Sequence, residues 1–238
     1  MSENFTVRLA GLDIGVKTRF ESVQSFFTGY LSENPPLFSV CADKEKVRHR
    51  MELSKEPVSE EYEETLEIYR EMAERFPHYD RAVFHGAAIE YEGRAYLFTG
   101  PSGVGKTTHI ALWRQFLGDK VQVINGDKPI LHWENGKITV YGSPYAGKEG
   151  WQRNASAPLG GICFLTKEGE KKAESLLPGR AFLLLYAQIY LPKSKEAVLK
   201  TMELLRSLSE VPSFTMARDK TEAAFQTSFE ALTGNNIG

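Results

Sequence analysis

Residues 94–108 read Arg-Ala-Tyr-Leu-Phe-Thr-Gly-Pro-Ser-Gly-Val-Gly-Lys-Thr-Thr. Gly100, Gly105, Lys106 and Thr107 satisfy the spacing G-x-x-x-x-G-K-[ST] of a phosphate-binding loop. An apolar run, Ala95 to Phe98, enters it as a strand, and a helical pattern, Thr107 to Leu117, leaves it. Strand, loop and helix in that order place the chain among α/β folds. Gly100, Gly103 and Gly105 allow a tight bend with several N–H groups pointing inward, and those dipoles join the helix N-terminus in holding phosphate oxygens. The expected nucleotide-binding run is therefore Gly100, Pro101, Ser102, Gly103, Val104, Gly105, Lys106, Thr107 and Thr108. Within it Lys106 reaches the β- and γ-phosphates, and the Thr107 hydroxyl ligates Mg²⁺. The alternative is a glycine-rich βα turn that binds nothing.

The flanking patterns predict many short strands. Alternation over 5–9 and 12–16 around Ala10-Gly11 predicts a hairpin, and 37–41 a further strand. The run 44–56 is densely charged and reads as exposed. A helix is expected from Ser59 to about Phe76, with Glu60, Glu61, Glu63 and Glu64 complementing its dipole. A strand is expected over 82–91. After Gly118, a C-cap signal, 121–124 reads as a short buried strand ending in Asn125-Gly126-Asp127. Asn135-Gly136 marks a hairpin between 130–133 and 137–141. Residues 142–159 have no periodicity and read as a long loop, functional or disordered. A strand at 161–166, helices at 181–190 and 194–208, a strand at 214–217 and a final helix capped by Asp219 complete the pattern. The expected fold is α/β, a hairpin-rich mixed sheet with flanking helices. Two parts are expected, 1–80, a hairpin and helix packed on the main sheet, and 81–238, bearing the loop, with one continuous domain as the alternative.

Composition narrows the function. With 238 residues and a net charge of −2, nothing draws the chain toward nucleic acid or an anionic membrane. No apolar run approaches the ~18 residues of a membrane span, and no signal peptide opens the sequence. Cys41 and Cys163 lie in apolar runs, read as small core residues and lack metal-ligand spacing. A reducing, cytoplasmic setting is expected.

The stretch Phe84-His85-Gly86-Ala87-Ala88-Ile89, then Gly100-Pro101-Ser102-Gly103-Val104-Gly105-Lys106-Thr107, then Asn125-Gly126-Asp127 resembles the catalytic domain of HPr kinase/phosphorylase. That domain is related in fold to phosphoenolpyruvate carboxykinase. The resemblance covers roughly residues 80–130, with His85 in the family's register relative to Gly100. It implies ATP and Mg²⁺ as cofactors, with ATP preferred over GTP. It implies that Asp127 supports Mg²⁺ and accepts the proton of an acceptor hydroxyl, and that His85 positions the γ-phosphate or the attacking group. The family's acidic pair falls on Gly126-Asp127, so one carboxylate is missing.

Further candidates lie in the 142–159 loop. Lys148 and Arg153 are placed to neutralise charge on a transferred phosphoryl group, and Tyr145 and Trp151 to stack on a base or exclude water. Arg180, at the start of a helix, is a weaker anion candidate; His109 and His132 read as structural or exposed. The reading is an ATP/Mg²⁺-dependent phosphotransferase. Its acceptor hydroxyl is a serine of an unidentified protein or peptide, or a small molecule, and a homo-oligomer is compatible with it. The alternative is a nucleotide-binding sensor without transfer; a carboxykinase acting on a keto acid ranks third, for want of a second metal site.

Overall fold

The computed structural model describes residues 3–54, 57–169 and 171–235. β1 (Glu3–Leu9) and β2 (Leu12–Thr18) pair antiparallel, with Leu9 opposite Leu12. Their two-residue turn has positive φ at both Ala10 and Gly11, the geometry that matches strand twist in a tight hairpin. After α1 (Glu21–Phe26), β3 (Leu31–Ser32) and β4 (Phe38–Cys41) complete a four-stranded sheet in the order β3-β1-β2-β4. Cys41 is exposed on this edge, contrary to its core-like sequence setting, whereas Cys163 is buried, which pushes its thiol pKa up to about 12.

The charged run is largely exposed over its described residues, as expected. Its first part is α2 (Lys44–Leu53), capped by Asp43; residues 55 and 56 of the run lie outside the described residues. Only Val47 of α2 is buried, so the helix is held to α3 (Glu60–Arg75) largely by charge. Lys46 meets Glu71 at 2.6 Å, and Arg50 meets Glu67 at 3.3 Å. The glutamates of α3 therefore do more than face a helix dipole. Glu63, Glu64 and Glu67 are buried, and Glu64 accepts from the Thr18 hydroxyl (2.6 Å) and the Arg19 backbone N–H (2.9 Å). The opposite face of α3 packs Ile68, Tyr69, Met72 and Ala73 against the first sheet.

The remainder builds around a nine-stranded mixed sheet. Its strands are β5 (Arg81–Val83), β6 (Ala87–Tyr91), β7 (Arg94–Thr99), β8 (Val121–Asn125), β9 (Ile130–Glu134), β10 (Lys137–Tyr141), β11 (Ser156–Thr166), β12 (Glu174–Ser175) and β13 (Ser213–Ala217). The main order is β5-β9-β10-β11-β7-β6-β8; β13 lies parallel to β11 and carries β12. The flanking helices are α4 (Lys106–Leu117), α5 (Pro178–Tyr186), α6 (Lys195–Ser209) and α7 (Glu222–Thr233).

Four departures from the sequence expectation matter. The run 82–91 is two strands, because the chain changes partners at Phe84-His85-Gly86: β5 pairs with β9, while β6 pairs with β7 and β8. Gly86 is needed at the crossing, since a Cβ there would stand 2.9 Å from the Phe84 ring and 3.1 Å from the Phe98 carbonyl oxygen. β11 begins at Ser156, shortening the long loop, and it binds the halves of the sheet by pairing first with β10 and then with β7 and β13. The helix expected over 181–190 spans Pro178–Tyr186 instead, and 188–190 runs back along the crossing. The last helix is capped by Thr221, whose side chain accepts from the Ala224 N–H, and not by Asp219.

Trp113 of α4 is fully buried among Tyr91, Tyr96, Phe98, Phe225 and Phe229, joining sheet to α7. Trp113 donates to Ser228 Oγ at 2.9 Å, and Ser228 donates in turn to the Phe225 carbonyl. His109 Nε2, 2.9 Å from the same oxygen, must then donate too. Burial pushes the His109 pKa down to about 4. Because that lies below the unfolded value of about 6.5, the fold loses stability as pH falls from the upper value toward the lower. Between pH 7.5 and 4.5 the wild type should lose about 2–3 kcal/mol more than His109→Phe in urea unfolding; equal acid losses would contradict the assignment.

Candidate functional site

The glycine-rich loop connects the end of β7 to α4. Gly100, Gly103 and Gly105 have φ of 139°, 70° and 104°, a backbone path closed to ordinary side chains. At Gly100 space is also absent, because a Cβ would fall 2.4 Å from the Leu165 carbonyl oxygen. Val104 is buried and anchors the loop, while Pro101, Ser102, Gly103 and Thr108 are exposed and Thr107 is half-buried. The N-cap of α4 is Gly105, without a side-chain cap, and no acidic residue occupies the first turn. The N-terminal N–H groups and their partial positive charge are thus left for something other than the helix's own side chains.

Lys106 turns inward from that first turn. It is buried, with Nζ 3.2 Å from His85 Nε2 and 3.5 Å from the Gly100 carbonyl oxygen. Burial lowers its pKa, Asp127 opposes the shift, and Lys128 reinforces it. His85 lies at the strand crossing, its backbone N–H donating to the Gln188 carbonyl and its own carbonyl accepting from Thr99 Oγ1. Burial, and next the Lys106 cation, hold the His85 pKa below its ordinary value; Asp127 and Gln188 pull the other way. The imidazole is therefore largely neutral at pH 7, able to accept a proton.

Asp127 comes to the same place from β8. Asn125, fully buried at the end of that strand, accepts from the N–H groups of Asp127 (2.9 Å) and Lys128 (2.7 Å) and donates to the Ser143 carbonyl. This Asx turn redirects the chain. The Asp127 carbonyl accepts from the Gly86 N–H, and the Pro129 carbonyl from the Phe84 N–H, so the turn lies directly on the crossing. Asp127 Oδ1 is 3.6 Å from His85 Nε2, and Oδ2 accepts from Lys128 Nζ at 2.7 Å.

The other sequence candidates scatter. Gly147 packs against Asp127, its would-be Cβ 3.3 Å from that of Asp127, which leaves Lys148 exposed one residue away. Arg153 points elsewhere: it pairs with Glu90 at 2.9 Å and donates to the Val123 carbonyl. Glu90 sits opposite Ala95, at the end of β7 remote from the loop. Tyr145 is a core residue, stacked on Tyr69 at 3.8 Å between ring centres and donating to the Thr65 carbonyl, so it neither meets a base nor gates water. Trp151 lies under Arg114 beside a roughly 590 Å³ groove along α4 and β8. Arg180 is exposed at the start of α5. Sequence reasoning passed over Asn125, Lys128, Gln188 and Arg218. Arg218, just after β13, reaches within 3.7 Å of where a Gly105 Cβ would lie and borders a cavity of about 300 Å³ with Gly105, Thr108, His109, Asp219 and Lys220. Among the described residues no three His, Cys, Asp or Glu side chains form a metal cluster, and no helix is long and apolar enough to cross a membrane.

No family model matches this chain, and no curated protein matches it. Among solved structures it is similar to the HPr(Ser) kinase/phosphatase from Coxiella burnetii, at 12% identity, over 59% of this chain and 81% of that one, with a TM-score of 0.33. The superposition is loose, and the chemistry of the site follows from this chain's own residues.

Asn125→Ala should lower the unfolding free energy by about 1–3 kcal/mol, because it orphans the Asp127 and Lys128 N–H groups. An unchanged urea midpoint would contradict this account of the turn.

Proposed function

We propose that the protein is an ATP- and Mg²⁺-dependent phosphotransferase acting on a hydroxyl group. The observation that carries this is the convergence of Lys106, His85 and Asp127, from α4, the strand crossing and the β8 turn, beside an uncapped helix N-terminus. Two lysines stand here against one carboxylate, so the spot is cationic when His85 is neutral, which suits a polyphosphate.

In this reading the N–H groups of residue 103 and residues 105–108 hold the β- and γ-phosphates, the Val104 N–H being taken by the Pro101 carbonyl, and Lys106 leaves His85 to contact them. The 300 Å³ cavity beside Arg218 receives the nucleoside. Thr107 and Asp127 would offer Mg²⁺ hard oxygen donors, and the ion would supply charge neutralisation at the transferring phosphate. The acceptor oxygen forms a bond to the γ-phosphorus as the bond to the ADP oxygen breaks. Its proton passes to Asp127 or neutral His85, both within the cluster. Lys148, exposed next to the Gly147 that packs on Asp127, is the candidate to neutralise the phosphoryl charge; Arg153, committed to Glu90, has no role in this scheme. The acceptor is a protein or peptide serine or a small molecule.

A second reading, nucleotide sensing without transfer, is favoured by one observation: the single carboxylate of the cluster is tied to Lys128 at 2.7 Å.

With γ-labelled ATP, Mg²⁺ and a cell extract, wild-type protein should transfer label to an acceptor, and Lys106→Ala should lower that transfer by about 100-fold or more. Asp127→Asn should reduce turnover far more than ATP affinity. Full transfer by Lys106→Ala would overturn the reading, and ATP binding without transfer by the wild type would establish the sensor instead.

A further inference from the structure

Gln188 is 103 residues from His85 in sequence, yet holds it from two sides. Its backbone carbonyl accepts from the His85 N–H at 2.7 Å, and its side-chain Oε1 lies 3.0 Å from His85 Nδ1. The segment continues as an added strand: Ile189 bridges Phe84, and the Tyr190 N–H donates to the Val83 carbonyl at 2.9 Å. The Gln188 segment is thus fixed by backbone bonds to His85 and Val83 along one edge of the imidazole's own chain, and Gln188 is half-buried there.

We propose that Gln188 is a positioning residue that holds neutral His85 in the Nδ1–H tautomer, leaving the Nε2 lone pair directed at the phosphoryl-transfer centre. The argument is one of donors and acceptors. An ammonium on Lys106 has only hydrogens to offer, so Nε2, 3.2 Å away, must accept. The ring proton then sits on Nδ1, where it needs an acceptor, and Gln188 Oε1 is the one present. Asp127 Oδ1, 3.6 Å from Nε2, lies beyond a hydrogen bond and does not compete for a proton there. The charged groups acting on the ring are Lys106, Asp127 and Lys128, and Gln188 adds a neutral acceptor on the far side. When Lys106 shifts to a phosphate, Nε2 is left as an oriented base with no rotation of the ring required. The tautomer stands on geometry alone; its kinetic consequence rests on the phosphotransfer reading.

The test is long-range ¹H–¹⁵N NMR of the His85 ring in the full chain, alongside transfer kinetics. The wild type should show a protonated Nδ1 and an unprotonated Nε2 at neutral pH. Gln188→Leu should move proton population onto Nε2 and lower kcat about tenfold to 100-fold while KM for ATP stays within about twofold, as outer-shell histidine partners do. Gln188→Glu keeps an acceptor at Nδ1 and adds a negative charge. It should preserve the tautomer, and a Gln188→Glu ring protonated on Nε2 would overturn the proposal. A wild-type ring protonated on Nε2, or a Gln188→Leu ring unchanged in tautomer, would overturn the proposal. So would equal losses of kcat and ATP affinity in Gln188→Leu, which would make Gln188 a structural residue only. A wild type that transfers no label would overturn the phosphotransfer reading while the NMR still decided the tautomer.

Discussion

The buried ammonium of Lys106 is the constraint to which the rest of the site answers. An ammonium has three hydrogens to donate, and burying one without partners is costly. Here its hydrogen bonds are to the lone pair of His85 and, at the 3.5 Å limit, to the Gly100 carbonyl. The nearby carboxylate of Asp127 is shared with Lys128. The charge is thus tolerated and not neutralised, and an anion bearing several oxygens would satisfy what the protein leaves open. The loop geometry points the same way, since a helix N-terminus with a glycine cap and no acid in its first turn presents bare N–H dipoles to that anion.

Holding a lysine in this state requires stiff surroundings, and much of the chain supplies them. The strand crossing is fixed by Gly86 on Asp127, Phe84 on Pro129, and residues 188–190 on the other side. The Asx turn at Asn125 rests on Ser143, whose hydroxyl also donates to the Lys128 carbonyl. That carbonyl accepts a second bond from Tyr69 Oη of α3. The N-terminal sheet and α3 therefore reach to within one residue of Asp127, through the stacked pair Tyr69–Tyr145. In this picture α3 supports the turn through that hydrogen bond.

Local chemistry was legible in the sequence, and long-range pairing was not. The hairpin at Ala10-Gly11, the loop from Gly100 to Thr107, its strand and helix, and the strand ending at Asn125 all follow from turn residues and periodicity, which act over a few positions. His85 could be picked out, but not its partner, because Gln188 belongs to a segment whose apolar letters read as the end of a helix. Pairing with Phe84 overrides that propensity. Tyr145 and Arg153 were misread for a related reason. A loop rich in aromatic and basic residues looks like a binding loop until the partners at Tyr69 and Glu90, which no local pattern reveals, are known. The charged segment at 44–53 is largely exposed as expected; what its letters do not reveal is the pairing of Lys46 and Arg50 with Glu71 and Glu67 of α3.

The most direct measurement of the central claim is an amide ¹H–¹⁵N titration of the full chain with Mg²⁺ and a non-hydrolysable ATP analogue. The account predicts that the largest shifts fall on residues 103–108, with smaller ones at His85, Asp127 and Arg218. Shifts confined to the groove along α4 and β8, around Arg114, Gln122 and Trp151, or no shifts at millimolar analogue, would contradict it.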